Sequence, residues 1–243
     1  MGRYKEAYAS WQSDPHAFWA DAARDMDWMS PPREIYGPQG WFPDATCNTC
    51  WNALDRHVAA GRADQNALIY DSAMLGKVKH FTYAQLLDKV ATFAGVLQRH
   101  GVVKGDRVII YMPMVPQAVV AMHSVVFGGF AAKELATRID DARPKLIVTA
   151  SCGLEPGRTI AYKPLLDAAI DLASSKPSTC IVMQRAALKA EMIDGRDFDW
   201  SMEMEKTRAA GLKPDCVPVA ATDPLYVLYT SGTTGVPKGV VRD

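Results

Sequence analysis

Apolar positions along this chain recur with two spacings, one helical and one strand-like, and the two alternate. Thr82 and Gln85 form a capping box, and Leu86, Leu87, Val90, Phe93 and Leu97 then follow helical spacing as far as Gly101. Ahead of that helix, Ala67 to Asp71 and Lys77 to Phe81 read as a hairpin around Gly76. Beyond it the pattern predicts a strand at 107–111, a short helix at 115–122 and a strand at 124–127 ending in Gly128-Gly129. A helix over 131–142 and a strand over 145–150 follow. Residues 164–174 predict a helix with Leu165, Leu166, Ala169, Ile170 and Ala173 inward, and 179–184 a strand. From 186 to 218 the pattern is mixed, with a helix near 202–210 between loops. The run Leu225 to Tyr229 reads as a buried strand, and Val240-Val241 as part of another. Strands alternating with helices predict an α/β fold built on parallel sheet.

The first 51 residues break this rhythm. They hold five of the six tryptophans, Trp11, Trp19, Trp28, Trp41 and Trp51. Ser13-Asp14-Pro15 reads as a helix start running to about Arg24, with Phe18, Trp19 and Ala22 on one face. Pro31, Pro32, Gly37, Pro38, Gly40 and Pro43 then impose an extended, irregular path. A short helix from Asn52 to Ala60, closed by Gly61, completes the segment. The organisation expected is a helical and extended arm over 1–62, pinned by its aromatics, followed by a larger domain over 63–243. Stacking of bases on these aromatics is disfavoured because acids outnumber bases here.

Composition narrows the function. The chain has 243 residues, 27 basic against 27 acidic side chains, so no net field draws it to nucleic acid or anionic lipid. No apolar signal region opens it, and Glu6 fails the myristoylation pattern. Residues 108–132 lack formal charge, but Pro113, Pro116, Gln117, His123, Gly128 and Gly129 interrupt any spanning helix. Five scattered cysteines (47, 50, 152, 180 and 216) fit a reducing, cytoplasmic setting. The single C-x-x-C, Cys47 to Cys50, lacks a second pair or nearby histidines and reads as ordinary thiols rather than zinc ligands.

The chemistry concentrates after the last apolar run. Thr230-Ser231-Gly232-Thr233-Thr234-Gly235 joins four hydroxyls to two glycines, and Val236-Pro237-Lys238-Gly239 follows. Glycines let successive backbone N–H groups turn toward one anion, the hydroxyls add donors, and Lys238 adds a mobile charge. That is a polyphosphate cradle. A Walker A loop is excluded by spacing, because the position five after Gly232 is Pro237 and Lys238 precedes Gly239 rather than Ser or Thr.

Tyr-Thr-Ser-Gly-Thr-Thr-Gly-x-Pro-Lys-Gly resembles the phosphate-loop signature of the adenylate-forming enzymes. The Trp-rich arm, Asn52-x-x-Asp55-Arg56-His57, Val125 to Phe130 and Glu155-Pro156-Gly157-Arg158 resemble short-chain acyl-CoA synthetases within that superfamily. Residues 131–140 and the Glu-Pro-Gly-Arg segment look closer to the propionyl-CoA than to the acetyl-CoA type. The resemblance implies activation of a short-chain acid by ATP to acyl-AMP, then transfer to CoA, with Mg2+ assisting. It assigns Thr230, Ser231, Gly232, Thr233, Thr234, Gly235 and Lys238 to the ATP phosphates. It places Glu155, Pro156, Gly157 and Arg158 at the CoA nucleotide, with Gly128 and Gly129 permitting close approach or simply turning the chain at a strand end. Arg138 reads as a helix-face ion pair, and His123 as a structural histidine or a neighbour of the site. No metal-binding residues are expected.

Two departures from the family stand out. Met122 runs directly into His123-Ser124, whereas relatives carry several more residues, so a deletion is expected. The adenine segment, ribose-binding aspartate, hinge and catalytic lysine of the family lie downstream of the positions matched. These 243 residues are therefore expected to be an incomplete N-terminal region of the adenylate-forming fold, inactive alone. The alternative is a non-catalytic relative that binds nucleotide weakly or not at all.

Overall fold

The computed structural model describes residues 2–123, 132–230 and 238–242. It separates into two units, residues 1–63 with 216–224, and residues 64–215 with 225–242.

In the first unit, helix Arg3–Ser13 precedes helix Pro15–Ala22, and Asp14 between them caps the second by accepting from Ala17 N–H at 2.9 Å. The first helix is not anticipated by the sequence pattern, and none of its residues is buried. The second ends at Ala22, short of Arg24, in a single 3-10 turn Ala23–Asp25. It is Ala23 rather than Ala22 that is buried. The expected helix over 52–60 begins instead as a wide π-type turn, Trp51–Asp55, before Arg56–Ala59. That turn positions Asn52, which accepts from Asp27 N–H and donates to Asp27 carbonyl, both at 2.9 Å. Arg56 adds a hydrogen bond to the Asp25 carbonyl at 2.9 Å. The motif residues Asn52 and Arg56 thus hold the preceding loop to the turn. Strand Thr46–Cys47 pairs antiparallel with Val219–Ala220, so both ends of the chain contribute to this unit.

Among the described residues, the second unit is organised by a four-stranded parallel sheet. Strand Leu146–Ala150 lies inside it, between Val108–Tyr111 and Thr179–Met183, and Asp197–Asp199 forms the far edge. All five residues of Leu146–Ala150 are buried, as expected for a parallel strand covered on both faces. Tyr111, Ile147, Cys180 and Val182 share a core with Leu135, Ala136 and Ile139 of helix Ala132–Ala142 and with Leu166, Ala169 and Ile170 of helix Tyr162–Leu172. Val108, Ile110, Val148 and Ile181, at the alternate positions, are buried on the opposite face.

The capping box at Thr82 is present in full and opens helix Tyr83–Arg99. Phe93 on this helix stacks on Trp200 at 4.0 Å, which anchors helix Trp200–Ala209. The latter starts earlier than the pattern implied because Asp199 caps it, accepting from Ser201 and Met202 N–H. The hairpin of strands Asn66–Ser72 and Lys77–Thr82 forms as expected. Strand Asp197–Asp199 and the hairpin Cys152–Glu155 with Arg158–Ala161 are not anticipated by the sequence pattern. The expected strand over 124–127 lies outside the described residues. Among the described residues, no helix is long and apolar enough to cross a membrane.

Candidate functional site

The phosphate-loop motif sits on an antiparallel hairpin. Strands Tyr226–Thr230 and Lys238–Arg242 pair in register, Leu228 opposite Val240, Tyr229 opposite Gly239 and Thr230 opposite Lys238. Opposed residues in such a ladder lie about 4.5–5.5 Å apart between Cα atoms, which brings Thr230 and Lys238 together. Ser231, Gly232, Thr233, Thr234 and Gly235 lie outside the described residues, as do Gly128 and Gly129. The strand Tyr226–Thr230 is not buried as its apolar run suggested, since Leu225, Tyr226 and Leu228 are exposed. Its only described pairing partner is the other arm of the hairpin, and Val227 and Tyr229, at the alternate positions, are half-buried.

Tyr229 fixes this hairpin to the helix Ala132–Ala142. Its hydroxyl donates to Asp141 Oδ2 at 2.5 Å, and Arg138 lies over its ring at 5.3 Å. Burial, then the Asp141 carboxylate, pushes the Tyr229 phenol well above its ordinary pKa, so it stays a neutral donor. Arg138 is nearly fully buried, donates to the Glu134 carbonyl at 2.6 Å and lies 3.9 Å from the Glu134 carboxylate. That is the helix-face ion pair expected of it, with the cation–π contact added. Gly239 lies under Tyr229, where a Cβ would come within 2.9 Å of Val227 Cγ1 and 3.2 Å of Tyr229 Cε1. The glycine of Pro-Lys-Gly is thus the residue that lets the hairpin pack.

Glu155, Pro156, Gly157 and Arg158 form the tip of the unanticipated hairpin. Gly157 has φ +74°, which a turn with proline at its second position and glycine at its third requires. Glu155 and Arg158 face each other across it, with Arg158 donating to Glu155 Oε2 through Nε at 2.8 Å and Nη2 at 2.6 Å. Both are exposed. A solvent-exposed pair of this kind contributes about 0–1 kcal/mol, so an incoming phosphate can replace Glu155 at little cost. His123 follows helix Pro116–Met122, its backbone N–H donating to the Val119 carbonyl at 3.2 Å. Burial lowers its pKa and holds it neutral near pH 7.

Two clusters escaped sequence reasoning. Lys163, 1% exposed, reaches Asp167 and Asp197, and Arg196 pairs with the same two carboxylates. Cys50, Asp55 and Cys216 converge, leaving Cys47 in its strand. A buried lysine in an otherwise apolar helix face was the available signal for the first. Nothing in the spacing signals the second.

The chain matches the family model described as AMP-binding enzyme over residues 55–243, and the model described as acetyl-coenzyme A synthetase N-terminus over residues 4–53. An uncharacterized protein of Pseudomonas aeruginosa is 50% identical over 254 residues, covering 99% of this chain and 40% of that protein. The mitochondrial acyl-CoA synthetase short-chain family member 3 of Rattus norvegicus is 46% identical over 99% of this chain and 37% of its own length. An acetyl-coenzyme A synthetase of Pasteurella multocida is 40% identical over 98% of this chain and 38% of its own length. The chain therefore spans about two fifths of the length of these relatives. The Pseudomonas match runs over 254 positions against 243 residues here, so at least 11 of them, 254 less 243, have no counterpart in this chain. With the two family models matched over residues 55–243 and 4–53, the chain belongs to the AMP-binding enzyme family, with an acetyl-coenzyme A synthetase type N-terminus.

Proposed function

We propose that this chain supplies the N-terminal arm and phosphate loop of an AMP-forming short-chain acyl-CoA synthetase acting on propionate or acetate in the cytoplasm. The observation that carries this reading is the hairpin that pairs Thr230 with Lys238, the residues flanking the hydroxyl- and glycine-rich sequence 231–237. A carboxylate oxygen of the acid attacks the α-phosphorus of Mg-ATP, the bond to pyrophosphate breaks, and acyl-AMP forms. Thr230, Ser231, Gly232, Thr233, Thr234, Gly235 and Lys238 bind the β- and γ-phosphates and stabilise the charge that builds on the departing pyrophosphate. The CoA thiol then attacks the acyl carbon, losing its proton as AMP leaves, with Arg158 exchanging Glu155 for a CoA phosphate. Identity of 46% to the short-chain relative and 40% to the acetyl-coenzyme A synthetase supports a short-chain acid as the substrate.

Residues 1–243 by themselves complete neither half-reaction, because the family's ribose-binding aspartate, hinge and catalytic lysine lie beyond the matched positions. The test is thermal unfolding of the 243-residue chain with Mg-ATP, Mg-pyrophosphate and CoA. Ligand at a hundred times its Kd stabilises by about 2.7 kcal/mol, which for a chain of this size raises Tm by roughly 5–10 °C. Both phosphate ligands are expected to produce the shift and Lys238→Ala to remove most of it. No shift, or an equal shift in the variant, would overturn the cradle and favour a non-catalytic relative. Propionate-dependent exchange of label between pyrophosphate and ATP by this chain would overturn the claim of inactivity alone.

A further inference from the structure

Cys50 and Cys216 are separated by most of the chain, yet both thiols address one carboxylate oxygen. Cys216 Sγ lies 3.5 Å from Asp55 Oδ2 and Cys50 Sγ 3.8 Å from the same atom. All three ligand atoms fall within 4.8 Å of one another, and all three residues are half-buried. Asp55 makes no ion pair with lysine, arginine or histidine among the described residues, so a shielded carboxylate is met only by two weak S–H donors. A positive charge is what this arrangement lacks.

We propose that Cys50, Asp55 and Cys216 bind a soft divalent cation of the zinc class, with a water in the fourth position. Tetrahedral zinc, with Zn–S near 2.3 Å and Zn–O near 2.0–2.2 Å, sets sulfur and oxygen ligands about 3.6 Å apart and two sulfurs about 3.8 Å apart. The two observed sulfur–oxygen edges, 3.5 and 3.8 Å, already have that size, and the two sulfurs lie within 4.8 Å of each other. Two thiolates select zinc over calcium or magnesium, which prefer oxygen. The site lies where the two ends of the sequence meet in the first unit. Asn48 donates to the Val217 carbonyl at 2.9 Å, and strands Thr46–Cys47 and Val219–Ala220 pair alongside. A bound cation cross-links this seam and stabilises the unit.

The experiment is anaerobic titration of the reduced, chelator-stripped 243-residue chain with Co2+, followed by displacement with Zn2+. One equivalent of Co2+ with a thiolate-to-cobalt charge-transfer band in the near ultraviolet is expected. Cys50→Ser and Cys216→Ser remove the band, Asp55→Asn weakens uptake about tenfold or more, and Cys47→Ser leaves both unchanged. Zn2+ raises the Tm of the original chain and of Cys47→Ser, a readout that does not depend on whether the site variants fold. Absence of the band overturns the proposal. So does a band that survives loss of both Cys50 and Cys216, or one that disappears with Cys47. A Cys50–Cys216 disulfide formed with peroxide, seen as two hydrogens lost, overturns it if the reduced chain takes up no metal.

Discussion

Replacing Lys163 with methionine tests the charge cluster under the sheet edge. Lys163 Nζ donates to Asp167 Oδ1 and Oδ2 at 2.7 and 2.8 Å and lies 2.7 Å from Asp197 Oδ2. The Asp197 side chain is wholly shielded from solvent and also accepts from Arg196 Nε at 2.8 Å and Ile193 N–H at 2.8 Å. Two cations thus balance two carboxylates. Methionine keeps the aliphatic stem but leaves Asp197 with one cation. Removing one member of a buried pair costs about 3–5 kcal/mol, and the remaining Arg196 contacts place this case near about 3. Urea unfolding followed by circular dichroism measures it. With a slope near 3 kcal/mol per molar, the midpoint falls by about 1 M.

The pH dependence separates this from lost packing. Burial raises the Asp197 pKa, but hydrogen bonds from Arg196, Lys163 and the Ile193 N–H outweigh it and hold the carboxyl below its ordinary value. Its stabilisation is therefore complete above the unfolded value of about 3.9 and lost as pH falls through the folded one. The deficit of Lys163→Met is expected to be full at pH 7 and to narrow below about pH 4. Adding Asp197→Asn removes both charges and is expected to recover part of the loss. A cost under about 0.5 kcal/mol at pH 7, the size of an ordinary surface change, would refute the reasoning.

Thr82→Ala removes one half of the capping box, in which Gln85 N–H donates to Thr82 Oγ1 at 3.2 Å, and is expected to cost about 1 kcal/mol in the same urea experiment. An unchanged midpoint would show that tertiary contacts alone hold the start of that helix. Tyr229→Phe deletes the hydroxyl bonded to Asp141 and is expected to cost about 0.5–1.5 kcal/mol. If the hairpin orients the loop, the same variant also reduces the Mg-ATP thermal shift, and an undiminished shift would disconnect the two.

The parts of the fold that were legible in the sequence are those where local chemistry and burial agree. Thr82, Gln85 and the apolar stripe to Leu97 specify one helix by capping and periodicity together, and that helix forms. The strands at 108–111, 146–150 and 179–183 are apolar throughout, as burial on both faces of a parallel sheet demands. Asp197-Phe198-Asp199 was illegible because acids are poor strand formers. One of these acids is matched by Lys163 and Arg196 and the other caps a helix, partners that lie elsewhere in the chain. Cys152 to Ala161 reads as a loop because Pro156-Gly157 announces only the turn, not the ladder either side. At the candidate site, the motif located the loop, while its Tyr229 anchor depends on a helix 88 residues away in sequence. The meeting of Cys50 with Cys216 is equally non-local.

The pairing of Thr46–Cys47 with Val219–Ala220 also bears on the order of events during synthesis. The arm is made ahead of its partner strand, which follows more than 170 residues later. At 5–20 residues per second that interval is roughly ten to thirty seconds. For that time the tryptophan-rich arm has no completed unit to join, while the parallel sheet assembles from residues made in between. The arm is thus made long before it can settle, and an aromatic, partnerless arm is the stretch a nascent-chain chaperone would meet.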